Sequence, residues 1–174
     1  MLEKLRSLFS GPSISFQVLI SFQVLSDLHL EINQHYVSFK VPVRAKCLIL
    51  ASDVGRLVDY NNYCGFLQTQ TGRFELFFLV LGNHEFYNDT FAAGLQKALQ
   101  FKQEPCLNRH LILPQRGRYD IPESRGTILG CTLWSKVPEE AKDIMRSKIQ
   151  NYKKIHVWTV MIIMPLIRLT FPGF

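Results

Sequence analysis

The stretch LFFLVLGNHE, residues 76–85, decides the fold of this chain. Its six leading apolar residues do not alternate with polar ones, which predicts a strand covered on both faces of a parallel sheet. Gly82 then lets the chain turn sharply, and the polar residues Asn83, His84 and Glu85 follow. Loops at the ends of buried parallel strands are where an open α/β sheet collects ligands and catalytic groups. The stretch therefore predicts a functional loop on an α/β fold.

Two further apolar runs end in polar residues of the same kind. Phe22–Leu25 leads into Asp27 and His29, which flank one leucine, and residues 47–50 lead into Asp53. In an extended segment, residues i and i+2 lie on the same side, so Asp27 and His29 can reach one ion. Carboxylate, amide and imidazole groups together form a set of oxygen and nitrogen ligands for a metal. The three clusters predict a shared metal site, although each one alone is also typical of an ordinary loop or turn.

The remaining segments alternate between helix and strand, as expected of an α/β sheet with helices outside it. Helices are predicted over residues 57–68 and from Pro138 onward. Between them, Asp89 or Thr90 can cap a helix that runs to about residue 103. Residues 127–133 are a further predicted strand. The apolar faces of the second and third helices are Phe91, Leu95, Ala98 and Leu99, and Ala141, Ile144, Met145, Ile149 and Tyr152, respectively.

Length, composition and charge limit the function classes. A chain of 174 residues with 47% hydrophobic content fits one packed domain and excludes a disordered protein. The net charge of +6 keeps nucleic acid among the candidate partners, but the lysines and arginines are spread out. Four widely spaced cysteines without a CxxC pair favour a reduced, cytoplasmic protein. Since no uninterrupted apolar run reaches about 18 residues, no membrane span is expected.

The two ends of the chain differ in character from its middle. Residues 1–14 are interpreted as an N-terminal extension, and a tandem repeat, SFQVLI followed by SFQVLS, occupies residues 15–26. Only one copy can lead directly into Asp27, so the other either lengthens the strand or forms an additional segment before it. Residues 160–174 are an atypical apolar tail, either a last strand or an exposed end, and the domain itself is expected over residues 15–159.

In their order along the chain, the three clusters resemble the motifs of the calcineurin-like metallophosphoesterase superfamily, which run DxH, then GD, then GNH followed by an acid. The flanking sequences SDLHLE at residues 26–31 and ILGCTLWS at residues 128–135 are similar to microbial or fungal members. The resemblance covers residues 22–159. The matching residues are Asp27 and His29 for the first motif, Asp53 for the second, and Asn83, His84 and Glu85 for the third.

The resemblance implies an α/β sandwich with a mixed sheet flanked by helices, and a site for two divalent metal ions, Mn, Fe or Zn. Asp27 and His29 would hold the first ion. Asp53 would bridge both ions, and Asn83 would hold the second. His84 would stabilise the phosphoryl oxygens or protonate the leaving group, oriented by a carboxylate. The implied activity is hydrolysis of a phosphomonoester or phosphodiester substrate.

Two departures from the family pattern affect these expectations. Ser52 stands before Asp53 where the family usually has glycine, and we expect a modest change in loop geometry. The family also takes ligands from a later histidine and a C-terminal GHxH motif, and none of His35, His110 and His156 lies in that context. The domain is therefore expected to be incomplete in its C-terminal half. The alternative functions are a catalytically inactive remnant and a protein that binds phosphorylated ligands without turnover.

Overall fold

The computed structural model describes residues 20–107, 110–124, 126–156 and 161–170. Within these ranges, the apolar runs of the sequence form two β-sheets. One sheet is parallel, in the order β1-β2-β3-β4, and the other is antiparallel, in the order β5-β6-β7. The strands of the parallel sheet are β1 (Phe22–Leu25), β2 (Cys47–Ala51), β3 (Leu76–Val80) and β4 (Leu111–Ile112). Those of the antiparallel sheet are β5 (Gly117–Asp120), β6 (Thr127–Lys136) and β7 (Met161–Thr170).

Within the described ranges, four α-helices accompany the sheets: α1 (Tyr60–Thr71), α2 (Phe91–Phe101), α3 (Lys142–Lys148) and α4 (Gln150–Lys154). A 3₁₀ turn, Leu57–Asp59, precedes α1, so the first predicted helix is present. At the start of α2, the hydroxyl of Thr90 accepts a hydrogen bond of 3.1 Å from the backbone N–H of Ala93. Thr90 is therefore the N-cap, one of the two residues expected in that place.

The parallel sheet is covered on both faces because its central strands alternate two sets of apolar side chains. One face of β2 and β3 packs against side chains of α1 and α2, among them Phe66 and Phe101. On the other face, Ile49 and Phe78 pack against Ile121 and against Ile128 of β6. The expected α/β sandwich is thus confirmed, with helices on one side of the parallel sheet and the antiparallel strands on the other.

The apolar faces predicted for the helices after β3 are partly wrong. Leu99 is 44% exposed, and the core side of α2 runs instead through Gly94, Ala98 and Phe101. Gly94 allows this face to pack closely, since a Cβ there would lie 2.6 Å from the ring of Phe86. The apolar face predicted for the helix after Pro138 is wrong for a different reason. That helix is interrupted at Ile149, where the backbone is extended (φ −98°, ψ 124°).

That interruption divides the predicted apolar stripe between two short helices. Ile144 on α3 is 64% exposed, so it does not contribute to the core. Neither α3 nor α4 contains a buried residue. The apolar residues after Pro138 recur with helical spacing, but the chain forms two short helices instead of one continuous helix.

The C-terminal tail forms a strand, which is one of the two outcomes expected for it. β7 pairs with β6 along ten residues, with Pro165 opposite Thr132. At the other end of the domain, the second copy of the tandem repeat supplies β1. The N-terminal extension and all of the first copy but Ile20 lie outside the described residues. Among the helices of the described ranges, none is both long and apolar enough to cross a membrane.

Candidate metal centre and active site

The loops that follow β1, β2 and β3 meet at one edge of the parallel sheet, because neighbouring parallel strands end side by side. The backbone N–H of Asp27 donates to the carbonyl of Ser52 at 3.1 Å, and that of His29 donates to the carbonyl of Asp53 at 3.0 Å. The N–H of Ser52 in turn donates to the carbonyl of Val80 at the end of β3, at 2.9 Å. The three polar clusters of the sequence are therefore joined directly through their backbones.

At the start of the loops after β1 and β2, four residues adopt the left-handed backbone conformation: Asp27 (φ 55°), His29 (φ 48°), Ser52 (φ 85°) and Asp53 (φ 52°). The expectation that Asp27 and His29 share a side of an extended segment is therefore wrong. The chain turns after β1 because its N–H groups bond to the loop after β2 instead of continuing the strand. Such conformations cost about 1–3 kcal/mol each outside glycine, and they cluster at functional sites.

A buried carboxylate, that of Glu85, ties the loops together. Its oxygens accept hydrogen bonds from the backbone N–H groups of Gly82 (2.7 Å), Asp53 (3.1 Å) and Val54 (2.8 Å). The hydroxyl of Tyr63 on α1 adds a further bond of 3.2 Å. Burial and the charge of Asp53 raise the pKa of Glu85 to about 7, while the N–H bonds oppose the shift. Glu85 therefore holds the loops in register and is not exposed to a ligand.

Gly82 is required where the loops after β2 and β3 approach each other. A Cβ at this position would collide with Ser52 Oγ and with Asp53 Oδ1. The same Asp53 oxygen accepts a hydrogen bond of 2.9 Å from the backbone N–H of His84. The glycine of the GNH sequence thus lets the carboxylate of Asp53 reach the backbone of His84.

Two imidazoles and one carboxylate converge beside this contact. His84 Nδ1 lies 2.7 Å from Glu31 Oε1 and 3.1 Å from His29 Nδ1, and His29 Nδ1 lies 3.7 Å from the same carboxylate oxygen. A single N–H at His84 Nδ1 cannot be donated fully to both neighbours, so this crowding of lone pairs favours a cation. The ligand atoms all lie within 4.8 Å of one another.

Glu31 also carries the clearest sign of a missing partner. Its second oxygen, Oε2, is buried and has no hydrogen bond within the described part of the chain. Buried polar atoms are normally paired, and a bound ion is one explanation of an unpaired one. Burial alone would raise the pKa of Glu31, but its hydrogen bond to His84 and the nearby imidazoles lower it. A charged carboxylate in this place fits a metal ligand or a partner for a histidine.

Asn83 lies on the other side of His84. Its side-chain Nδ2 donates to the hydroxyl of Tyr87 and to Asn151 Oδ1, each at 3.0 Å. With the amide nitrogen engaged, the carbonyl oxygen of Asn83 is the atom left for a ligand. The ring of Tyr87 packs on His84 with a centroid distance of 4.2 Å, and Lys154 Nζ lies 4.9 Å from the centroid of the same ring.

The structure places every candidate residue at this edge of the sheet, though in different surroundings. Asp27 is exposed, whereas His29 and His84 are about one third and one quarter exposed, at 31% and 23% of their side chains. Glu31 was missed by the sequence interpretation although it lies within the quoted SDLHLE segment. Asn151 and Lys154 were missed as well, because they lie on α4 and no local motif links them to the site.

The fold of this chain is similar to that of a known protein, although its sequence is not. No family model matches this sequence, and no curated protein is significantly similar to it. The fold is similar to the crystal structure of phosphopantetheinyl hydrolase from Mycobacterium tuberculosis, with a TM-score of 0.54 and 19% sequence identity. The match covers 74% of this chain but 51% of the other, so this chain spans about half the length of that hydrolase. The likeness establishes a shared fold.

Proposed function

We propose that this protein is a metal-dependent hydrolase of phosphoric esters. The observation that carries the proposal is the meeting of the three motif loops at the carboxyl edge of the parallel sheet, which brings His29 beside His84 and the carboxylate of Glu31. The order of the DxH, Asp53 and GNH clusters supports it, and so does the fold likeness to a phosphopantetheinyl hydrolase. The substrate class is a phosphomonoester or phosphodiester.

In this proposal two divalent ions, Mn, Fe or Zn, are bound by the residues of the three loops. Asp27 and His29 would hold the first ion, and Asp53 would serve both ions. Asn83 would hold the second through its carbonyl oxygen, since its amide nitrogen donates to Tyr87 and Asn151. When bound, two such cations neutralise phosphate charge and make a metal-bound water acidic enough to act as a nucleophile. The donor set of oxygen and imidazole ligands suits these metals.

The proposed catalytic residue is His84. Because Nδ1 faces Glu31 at 2.7 Å, the other ring nitrogen, Nε2, is the atom that can donate a proton to a leaving oxygen. The carboxylate of Glu31 orients the ring through this contact, and the tilted ring of Tyr87, with its centroid 4.2 Å away, limits its rotation. Glu31 thus fills the place of the orienting carboxylate that the resemblance implied.

The experiment is hydrolysis of a chromogenic phosphodiester with and without added Mn²⁺. We expect metal-dependent turnover that falls at least about 100-fold in Asp53→Asn, the variant that removes the bridging charge. Asp143→Asn, at an exposed position on α3, is the matched control and should keep full activity. Turnover that ignores Mn²⁺, or that survives Asp53→Asn, would contradict the proposal. Phosphate binding without any turnover would favour the non-catalytic alternative.

A further inference from the structure

A second cluster of metal-binding side chains lies outside the site described above. It joins α1 to the segment that follows α2. Cys64 lies on α1, and Glu104 and Cys106 lie at the 3₁₀ turn Pro105–Leu107. Their ligand atoms are all within 4.8 Å of one another. We propose that Cys64, Cys106 and Glu104 bind one thiophilic divalent cation such as Zn²⁺, clipping α1 to the segment after α2.

The distance between the two thiols fits a shared metal ion. Cys64 Sγ and Cys106 Sγ are 3.6 Å apart, too far for a disulfide, whose sulfur atoms lie about 2.05 Å apart. An ion about 2.3 Å from each sulfur, the usual zinc–thiolate distance, would subtend an S–Zn–S angle of about 103° across that gap. This is near the tetrahedral angle, so the sulfurs need little movement to bind the ion.

The third ligand is already oriented by a neighbour. The hydroxyl of Tyr60 donates a hydrogen bond of 2.6 Å to Glu104 Oε1, and the ring of Tyr60 stacks on Phe101 with a centroid distance of 4.7 Å. Carboxylate ligands of metal sites are commonly held by such a hydrogen bond from outside the ligand set. In the described ranges, Glu104 has this bond and no ion pair.

The chemistry of binding balances in protons and charge. Burial, followed by the neighbouring thiol and carboxylate, raises the pKa of Cys64, which favours its protonated thiol in the free protein. Binding breaks two S–H bonds, releases two protons to the solvent and forms two metal–sulfur bonds. Two thiolates, one carboxylate and a divalent cation leave the cluster with one net negative charge. Thiolates select zinc-like ions, whereas the oxygen and imidazole set beside β1 to β3 also suits manganese.

The test is titration of the full-length, reduced protein with Co²⁺, whose absorbance spectrum depends on the atoms that bind it. We expect a thiolate-to-cobalt charge-transfer band that reaches a plateau as cobalt is added and disappears when Zn²⁺ is added. The band should be lost in Cys64→Ser and in Cys106→Ser, and weakened at least several-fold in affinity in Glu104→Gln. Cys131→Ser removes a partly exposed thiol elsewhere and should leave the band unchanged.

Three results would overturn the proposal. They are the absence of a charge-transfer band in the reduced protein, a band that survives Cys64→Ser and Cys106→Ser, and a band that Cys131→Ser abolishes. Circular dichroism of each variant shows that it has folded, and Glu104→Gln leaves both thiols in place should a serine variant fail to fold. Because cobalt bound to histidine and aspartate lacks the charge-transfer band, failure here is distinct from failure of the proposed phosphoesterase site.

Discussion

Ser52 adopts a backbone conformation that favours glycine, and this strain has a measurable consequence. Its φ of 85° places a side chain in the left-handed region, beside the close approach of Gly82. Ser52→Gly should therefore raise the free energy of unfolding by about 1 kcal/mol, which corresponds to about 2–4 °C in Tm for a domain of this size. Urea and thermal unfolding measure the change.

The control for that substitution is Ser147→Gly. Ser147 lies within α3 and is not among the residues with positive φ, so glycine there should lower the free energy of unfolding by about 0.5–1 kcal/mol. Changes of the same sign at both positions would contradict the assignment of strain to Ser52.

Glu85 is expected to stabilise the fold and to have no direct part in the chemistry. Glu85→Gln would replace one acceptor oxygen with an NH₂ group, which would face backbone N–H donors such as that of Gly82. We expect the free energy of unfolding to fall by about 2–4 kcal/mol, measured by urea denaturation, because buried donors lose their acceptor. Glu140→Gln, at an exposed position, should change it by less than about 0.5 kcal/mol. Equal effects of the two substitutions would exclude a structural role for Glu85.

Two helical glycines give opposite predictions for the same substitution. Gly65 on α1 has open space around it, so Gly65→Ala should stabilise the protein by about 0.5–1 kcal/mol through helix propensity. Gly94 on α2 lies against the buried ring of Phe86, so Gly94→Ala should destabilise it by about 1–3 kcal/mol. Thermal unfolding of both variants measures the difference. Stabilisation by Gly94→Ala would mean that α2 does not pack closely on the His84–Phe86 turn.

The elements that the sequence predicted best are those with an unambiguous local pattern. The uninterrupted apolar runs of β2 and β3 indicated buried parallel strands, and Thr90 carried its own capping signal. The break at Ile149 has no such signal, because helical spacing continues on both sides of it. The core side of α2 packs against Phe86, a residue outside the helix. The spacing of apolar residues within the helix therefore could not show that Leu99 faces away from the core.

In the candidate site, too, the features with a local sequence pattern were predicted and the others were not. Motif order predicted that the loops after β1, β2 and β3 belong together, because the carboxyl ends of parallel strands lie at one edge of a sheet. It did not predict the left-handed turns at Asp27 and His29, nor the contact between Glu31 and His84, which those turns produce. Asn151 reaches Asn83 from 68 residues away, a distance that no short motif spans.

The two layers that cover the parallel sheet both support the site. Helices cover one face of the parallel sheet and the antiparallel strands cover the other, so β2 and β3 end in a rigid setting. The hydroxyl of Thr132 on β6 donates to the carbonyl of Leu81, directly before Gly82, at 2.9 Å. From the helical side, Tyr63 donates to Glu85. Both layers therefore hold the GNH loop, which is the preorganisation that a metal centre needs.

Asp27, His29, Asp53 and Asn83 are the proposed metal ligands at this edge of the sheet. The direct measurement is anomalous diffraction from crystals of the protein grown with Mn²⁺, recorded near the manganese absorption edge. We predict anomalous peaks enclosed by these four side chains, next to His84 and Glu31. Manganese bound only elsewhere, or side chains of Asp27, Asp53 and Asn83 that point away from one another, would contradict the account.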